Sequence, residues 1–525
     1  MDRARQVANV AVPIEQWAGL GPNVLLCCDS LSYVIANNGI ELEPVVRVAV
    51  RDLRVTRWLT IPAVREQTCL HTEQPSMNSF RIAVLVGVFA VCIPPRLPGQ
   101  DQPPAASTPQ PPAAAGVTDT GPTTSEKQIT AYTLPPDLYK KAHDLSLIHF
   151  RLAVIGFVYG LVVLWLILLW KLAAKYRDCA ERSSSRRFVQ GLVFSPLLLL
   201  TIAVFSLPLD IYGEVVEKRY GISVQGWGSW SWDWIKSGLI GLVIGTILIW
   251  LLYTVIRRSR RRAWFYFWLM AVPIGVFLFF LGPWVIDPMF HKFEPLQQKD
   301  PALTASLEQM VQRAGENIPP ERIFWMGAGE KTTALDAYVT GIGASKRMVV
   351  FDTTIAKMNN RQIVYVAGHE TGHYVLQHIP KGLAFFATLL LLFFFLVHRL
   401  IGWVLTKWGA AWGVRGLDDW ASLPVLLFLL SFLFFVTNPV ASAFSRHLEH
   451  QADQFGLEVT HGLTPDSGPV AAQAFQILGE VDLADPDPNP VNVFLYYDHP
   501  PISDRVSFCL TYNPWEYGRG GEFVK

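Results

Sequence analysis

Charge is scarce in this chain. Only 17% of its 525 residues are Asp, Glu, Lys or Arg, against roughly 25% in soluble domains. Together with a hydrophobic fraction of 51%, that deficit excludes an ordinary soluble enzyme and a disordered chain. Neither sign of charge dominates: 44 basic residues against 43 acidic leave a net charge of +1, which gives no basis for nucleic-acid binding. Cysteine is sparse too. Cys27, Cys28, Cys69, Cys92, Cys179 and Cys509 form no Cys-x-x-Cys pair, so there is no disulfide framework. What is present is a series of nearly unbroken Leu, Phe, Val and Trp blocks separated by charged stretches, with a mean hydropathy of +0.28. The composition predicts an integral membrane protein with a polar portion outside the bilayer.

Residues 1–76 show no sustained period and no motif. After Met77 a short polar start with Arg81 leads into the apolar run Ile82–Ile93. A basic start, a short apolar stretch and a Pro-rich exit have the form of a secretory signal peptide, and the run is too short to span comfortably. The reading is that translation starts at Met77 and that 1–76 is an upstream extension or a disordered tail. Nine prolines fall between Pro94 and Pro122, which marks a polyproline-like spacer with too little apolar surface to fold.

Four long apolar blocks follow, about Leu152–Trp170, Phe188–Leu209, Ser237–Ile256 and Ala263–Ile286, and two more lie at Gly382–Val397 and Trp420–Phe444. A helix needs about 20 apolar residues to cross the hydrocarbon core, so about six spans are expected. The 171–187 loop holds Lys171, Lys175, Arg177, Arg182, Arg186 and Arg187, the 257–262 loop reads RRSRRR, and the 398–419 loop holds Arg399, Lys407 and Arg415. Positive residues favour the cytoplasm, which puts these loops inside and the linker, 287–381 and the C-terminus outside. Independently of orientation, two spans separate residue 381 from residue 445, so the regions on either side share one face of the membrane.

Residues 369–373 read HETGH within a stretch that is helical by pattern, starting near Asn359 or Asn360 and stopped by Pro380. His369 and His373, at i and i+4, project from one face and can bind one metal, with Glu370 beside them to activate a water. A catalytic zinc needs a third protein ligand. SRHLEHQADQFG at 445–456 supplies Glu449, with Asp453 one turn on to accept a hydrogen bond from a ligating imidazole. His447 and His450 are alternative ligands, and Arg446 can instead pair with Glu449 on a solvated face.

HETGH, followed after a two-span hairpin by SRHLEHQAD, resembles the integral-membrane zinc proteases of the type I CAAX prenyl endopeptidase family. LPLDIYGEVVEKRYGI, PWVIDPMFHKFEPL, DAYVTGIG and HPPISDR are similar to further stretches of that family, in order along the chain. The resemblance implies one Zn2+ held by His369, His373 and Glu449, Glu370 as general base and then proton donor, and Asp453 orienting a ligand. It implies that His499 sits near the developing oxyanion and that Arg505 holds that segment. The Ala334–Thr340 strand is expected to offer an edge to an extended peptide. Two features depart from the family: Asp336 stands where Asn is usual, and six spans stand where eukaryotic members have seven, with one missing before residue 188.

The expected architecture is mainly α: a polytopic transmembrane bundle carrying a zincin-like α+β metalloprotease domain. Its parts are the extension 1–76, the signal-peptide-like 77–98, the linker 99–145, four spans over 146–286, the HExxH half of the protease over 287–381, the hairpin 382–444, and the ExxxD half over 445–525. The expected function is a membrane-embedded zinc endopeptidase in a bacterial inner membrane, zinc domain outward, acting on peptides or membrane-protein segments. Two readings compete with it. A site-two type intramembrane protease fits poorly, because Arg361, Gln362 and Gln377 keep the HETGH helix outside a span. A non-catalytic zinc-stabilised scaffold has no need of Glu370. Neither the substrate nor the oligomeric state is legible.

Overall fold

The computed structural model describes residues 129–341 and 345–525 and, ahead of them, the backbone of four strands. The signal-peptide-like stretch, most of the linker and the rest of 1–76 lie outside the described residues. The four strands make two antiparallel hairpins that sequence periodicity does not anticipate. In one, β1 (Ser32–Ala36) meets β2 (Gly39–Glu43) with Ser32 opposite Glu43; in the other, β3 (Val46–Asp52) meets β4 (Val55–Ile61) with Val46 opposite Ile61.

From residue 136 the chain is dominated by helices. α1 (Pro136–Leu169), α3 (Arg187–Tyr220), α4 (Trp227–Arg258) and α5 (Ala263–Leu281) contain the four expected N-terminal spans. The short α2 (Leu172–Ser183) has 12 residues, about 18 Å of helix, and cannot cross. α1 and α3 have 34 residues each, about 51 Å at 1.5 Å per residue, against a hydrocarbon core of about 30 Å. The surplus is polar, which is why the apolar blocks alone underestimate the helices. α1 begins at Pro136, ahead of the 146 boundary, and its first turns pack on the protease portion, where Asn492 approaches Ser146. Prolines 196, 208 and 273 lie within these helices, as spans packed against neighbours tolerate.

β5 (Lys292–Pro295), α6 (Leu296–Lys299), α7 (Pro301–Arg313), β6 (Ile323–Gly327), β7 (Ala337–Thr340) and β8 (Arg347–Phe351) open the protease portion. The sheet order is β5-β6-β8-β7. β6 and β8 are parallel, and β7 pairs antiparallel with β8 alone, Ala337 opposite Val350. β7 is therefore an outer strand among the described residues. α8 (Asp352–Lys357) leads into α9 (Asn360–Val375), which carries HETGH. Asn359 and Gln362 form a reciprocal capping box at its start, so α9 begins where the sequence places it. It ends at Val375, not at Pro380. Gln377 turns the chain at φ 58°, and Pro380 falls in the first turn of α10 (His378–Trp412), where its missing N–H had no intrahelical partner to lose.

α10 and α11 (Leu423–Thr460) form the membrane hairpin, and α11 runs on without a break through Glu449 and Asp453. α12 (Ser467–Val481), α13 (Pro490–Tyr496) and α14 (Ile502–Thr511) complete the domain. The protease core gathers Leu307, Val311, Met348, Tyr365, Phe455 and Phe475 from both halves of the chain.

The three basic loops meet at one end of the bundle. Buried Arg177 donates to Gly413 O at 2.8 Å and to Asp419 at 2.7 Å, and Arg257 reaches Asp418 O and lies 4.1 Å over the ring of Trp420. Trp420 is fully buried against Tyr253 and Phe194. Both protease halves are at the opposite end, as span parity requires. With the native cysteines replaced, Ser185→Cys and Gly520→Cys should therefore react with an impermeant maleimide from opposite sides: one in intact cells, the other only after permeabilisation. Equal labelling of both would contradict the span count.

Candidate metal centre

α9 and α11 cross at an unusually short distance. A Cβ built on Gly456 would lie 3.1 Å from the backbone nitrogen of His369, and one on Gly368 would lie 2.9 Å from Val459. Two glycines thus bring the helices together, and the contact carries Glu449, about two turns before Gly456 on α11, to the two histidines of α9. His369, His373 and Glu449 are all buried, and one ligand atom from each lies within 4.8 Å of the others. The Nε2 atoms of His369 and His373 are 3.1 Å apart, and Glu449 stands 3.3 Å from the first and 3.5 Å from the second.

The surroundings orient these groups. Asp453 takes the Nδ1 of His369 at 2.8 Å, and Arg505 binds Asp453 with two nitrogens, at 2.9 and 2.6 Å. Burial works against the charge of Arg505, but the paired contact with Asp453 outweighs it and raises the Arg505 pKa, so the guanidinium stays charged. His499 donates through Nδ1 to Asp498 at 2.8 Å and turns Nε2 toward Glu449 at 3.2 Å. Burial opposes its charge, but the carboxylates of Glu449 and Asp498 more than offset this and raise its pKa to about 9. Burial pushes the Glu370 carboxyl up from its usual range, while the neighbouring histidines pull the other way.

The donor set fits a divalent cation. Oε2 of Glu449 is buried without a hydrogen bond, and two imidazole nitrogens point at the same spot. Burial lowers the His369 pKa, but Asp453 and Glu449 outweigh it and push the imidazole up to about 10; a bound metal displaces that proton. Two His and one Glu with room for a further ligand is a donor set used by catalytic zinc.

The structure brings together every site residue expected from the sequence: His369, Glu370, His373, Glu449, Asp453, His499 and Arg505. It sets the alternatives apart, since His447 and His450 are exposed and His450 stacks on Phe508 at 4.3 Å. Arg446 turns away from Glu449 and donates to Val493 O at 3.0 Å. Sequence reasoning missed His378, Gln451, Asp482 and Asp498. For Asp498 a signal was present, a carboxylate preceding His499; His378 and Asp482 have no spacing relation to the motifs.

A cleft of about 370 Å³ opens over Glu370 and His499, with Asp336 at the foot of β7 on one wall and His149 of α1 at its far side.

Residues 123–292 match the family profile described as CAAX prenyl protease N-terminal, five membrane helices, and residues 297–512 match peptidase family M48. The chain is 34% identical over 374 residues to a Bacillus subtilis protein named uncharacterized metalloprotease YhfN, covering 71% of this chain and 85% of that one. This chain belongs to peptidase family M48. It is similar as well to the human CAAX prenyl protease 1 homolog, 26% identical over 65% of this chain and 78% of the relative. The crystal structure of S. mikatae Ste24p shares the fold, with a TM-score of 0.63 at 22% identity over 72% of this chain and 90% of that one. The M48 membership makes this protein a multi-pass membrane zinc metalloendopeptidase. Where the N-terminal profile describes five membrane helices, four among the described residues of 123–292 are long enough to span, and α2 occupies the stretch before residue 188.

Asp482 adds a pH dependence. Burial raises its carboxyl to about 7, with the backbone N–H of Leu335 opposing and Asp336 adding to the shift; its Oδ1 has no hydrogen-bond partner. The folded protein therefore keeps a proton that the unfolded chain releases near pH 4, and stability falls as pH rises from about 4 to about 7. Asp482→Asn removes the charge, so it should raise the melting temperature by at least about 2 °C at pH 8 and leave it unchanged at pH 4. An equal gain at both pH values would contradict this assignment.

Proposed function

We propose that His369, His373 and Glu449 hold the zinc and that this site hydrolyses peptide bonds of extended segments presented at the membrane surface. The observation that carries the reading is the convergence of two Nε2 atoms and an unsatisfied carboxylate oxygen on one point. The bound zinc supplies Lewis acidity, which polarises the scissile carbonyl and makes a water nucleophilic near neutral pH.

Glu370 takes the proton of the attacking water as the water oxygen bonds to the carbonyl carbon. It then delivers that proton to the amide nitrogen as the C–N bond breaks. Its raised pKa suits both halves of this cycle. His499 in its protonated form, with Nδ1 held by Asp498, would donate its Nε2–H to the developing oxyanion. Asp453 and Arg505 hold the His369 ring so that its Nε2 faces the metal.

Among the described residues β7 is an outer strand of its sheet, next to the cleft, and an extended substrate adds along it as a further strand. Asp336 offers hydrogen-bond acceptors at the start of this edge, which suits substrate backbone N–H groups. Prenylated CAAX peptides are the substrate class that the names of several relatives suggest. The features described here require only an extended peptide, so general cleavage of membrane-protein segments fits equally. The basic end of the bundle favours the cytoplasm, which supports a zinc site that faces outward, as on the outer face of a bacterial inner membrane.

Glu370→Gln keeps the shape of the site and removes the base. Its zinc content should stay at that of the wild type while kcat/KM on a peptide substrate falls by about 10²–10⁴-fold. Undiminished cleavage would remove Glu370 from the mechanism, and a zinc-binding scaffold predicts no cleavage by either protein.

A further inference from the structure

His378 is the first residue of α10 and is fully buried. Its Nδ1 lies 3.2 Å from Nδ1 of His373, and its Nε2 lies 3.1 Å from Oε1 of Gln451. The rings of His373 and His378 meet edge to face at 5.1 Å. Gln451 comes from α11, two residues after Glu449, so the chain of contacts joins the root of both membrane-hairpin helices to a histidine of the metal centre.

Hydrogen-bond bookkeeping fixes the protons in this chain. An amide oxygen only accepts, so Nε2 of His378 must carry its hydrogen. A neutral imidazole has one N–H, which leaves Nδ1 of His378 bare and able only to accept. Nδ1 of His373 must then donate to it. The Nε2 of His373 is left with a free lone pair, 3.1 Å from its counterpart on His369. Reversing the Gln451 amide reverses every step: its NH2 would donate to His378, His378 would donate to His373, and the hydrogen of His373 would move to Nε2, where it blocks metal binding. The orientation of one amide therefore decides whether His373 is a ligand. His369 is held differently, by the carboxylate of Asp453 backed by Arg505.

We propose that His378 and Gln451 are positioning residues, a neutral relay that holds His373 in its metal-binding tautomer. The inference rests on His373 being a zinc ligand, as proposed above. It gives the two histidines unlike supports, one anionic and anchored to α14, the other neutral and anchored to the membrane hairpin.

The test is zinc affinity, measured by chelator competition on the detergent-purified full chain, with the melting temperature of the zinc-stripped form as a folding control. His378→Phe should weaken zinc binding by about 10–100-fold, and Gln451→Leu should weaken it in the same direction. Gln451→Glu keeps an acceptor that cannot reverse and should restore binding to the wild-type level or better. If His378→Phe fails to fold, the two Gln451 variants decide the matter without it. Unchanged affinity in Gln451→Leu, or a loss in Gln451→Glu as large as in Gln451→Leu, would overturn the relay, the second result pointing to packing alone. Wild-type protein that binds no zinc would instead overturn the metal site on which the relay depends.

Discussion

The contact on which the rest depends is the close crossing of α9 and α11 at Gly368 and Gly456. Any side chain at Gly456 would meet the backbone of His369 at 3.1 Å, less than an ordinary van der Waals contact. Without that approach Glu449 would stand away from His369 and His373, and the two histidines would face a cleft with no anionic partner. The crossing also explains the architecture around it. Both helices adjoin the membrane hairpin, α9 through the turn at Gln377 and α11 as its direct continuation. The position of the site is thus set by the spans beneath it rather than by a self-contained domain.

Burying so many ionisable groups in one place is costly unless each has a partner. The protein meets this with short, specific contacts. Buried Asp453 is sandwiched between Arg505 and His369, and buried Glu449 meets the half-exposed His499, which also pairs with Asp498. Oε2 of Glu449 makes no hydrogen bond; it has ion-pair neighbours in His369 and His499 at 3.3 and 3.2 Å and faces the point where the two imidazoles converge. At the other end of the bundle the same rule appears in Arg177, buried between Gly413 and Asp419. There the partners lock loops together, and no reactive group is left over.

Much of this was legible in the sequence because the chemistry follows helical spacing. His369 and His373, and Glu449 and Asp453, are i, i+4 pairs on single helices, and span parity puts the two helices on one side of the membrane. The start of α9 near Asn359 was legible too, from a residue type that favours helix N-caps. The His378 contact was invisible for a physical reason: Gln377 takes a left-handed conformation that breaks the helix between His373 and His378, so no helical period connects them. Asp482 was invisible because its partners, Leu335 and Asp336, are distant in sequence and meet it only through packing. The lengths of α1 and α3 were underestimated because hydropathy marks only the part of a helix that touches lipid, and these helices continue beyond it.

The central claim is that one metal is held between two crossing helices by three side chains, and counting that metal tests it most directly. The measurement is zinc per chain in the detergent-purified wild type and in Glu449→Ala, with melting curves to confirm that both are folded. The account predicts one zinc per chain in the wild type and loss of most of it in the variant. A folded Glu449→Ala protein that retains a full equivalent of zinc would contradict the account, because the crossing of α9 and α11 would then not be what completes the site.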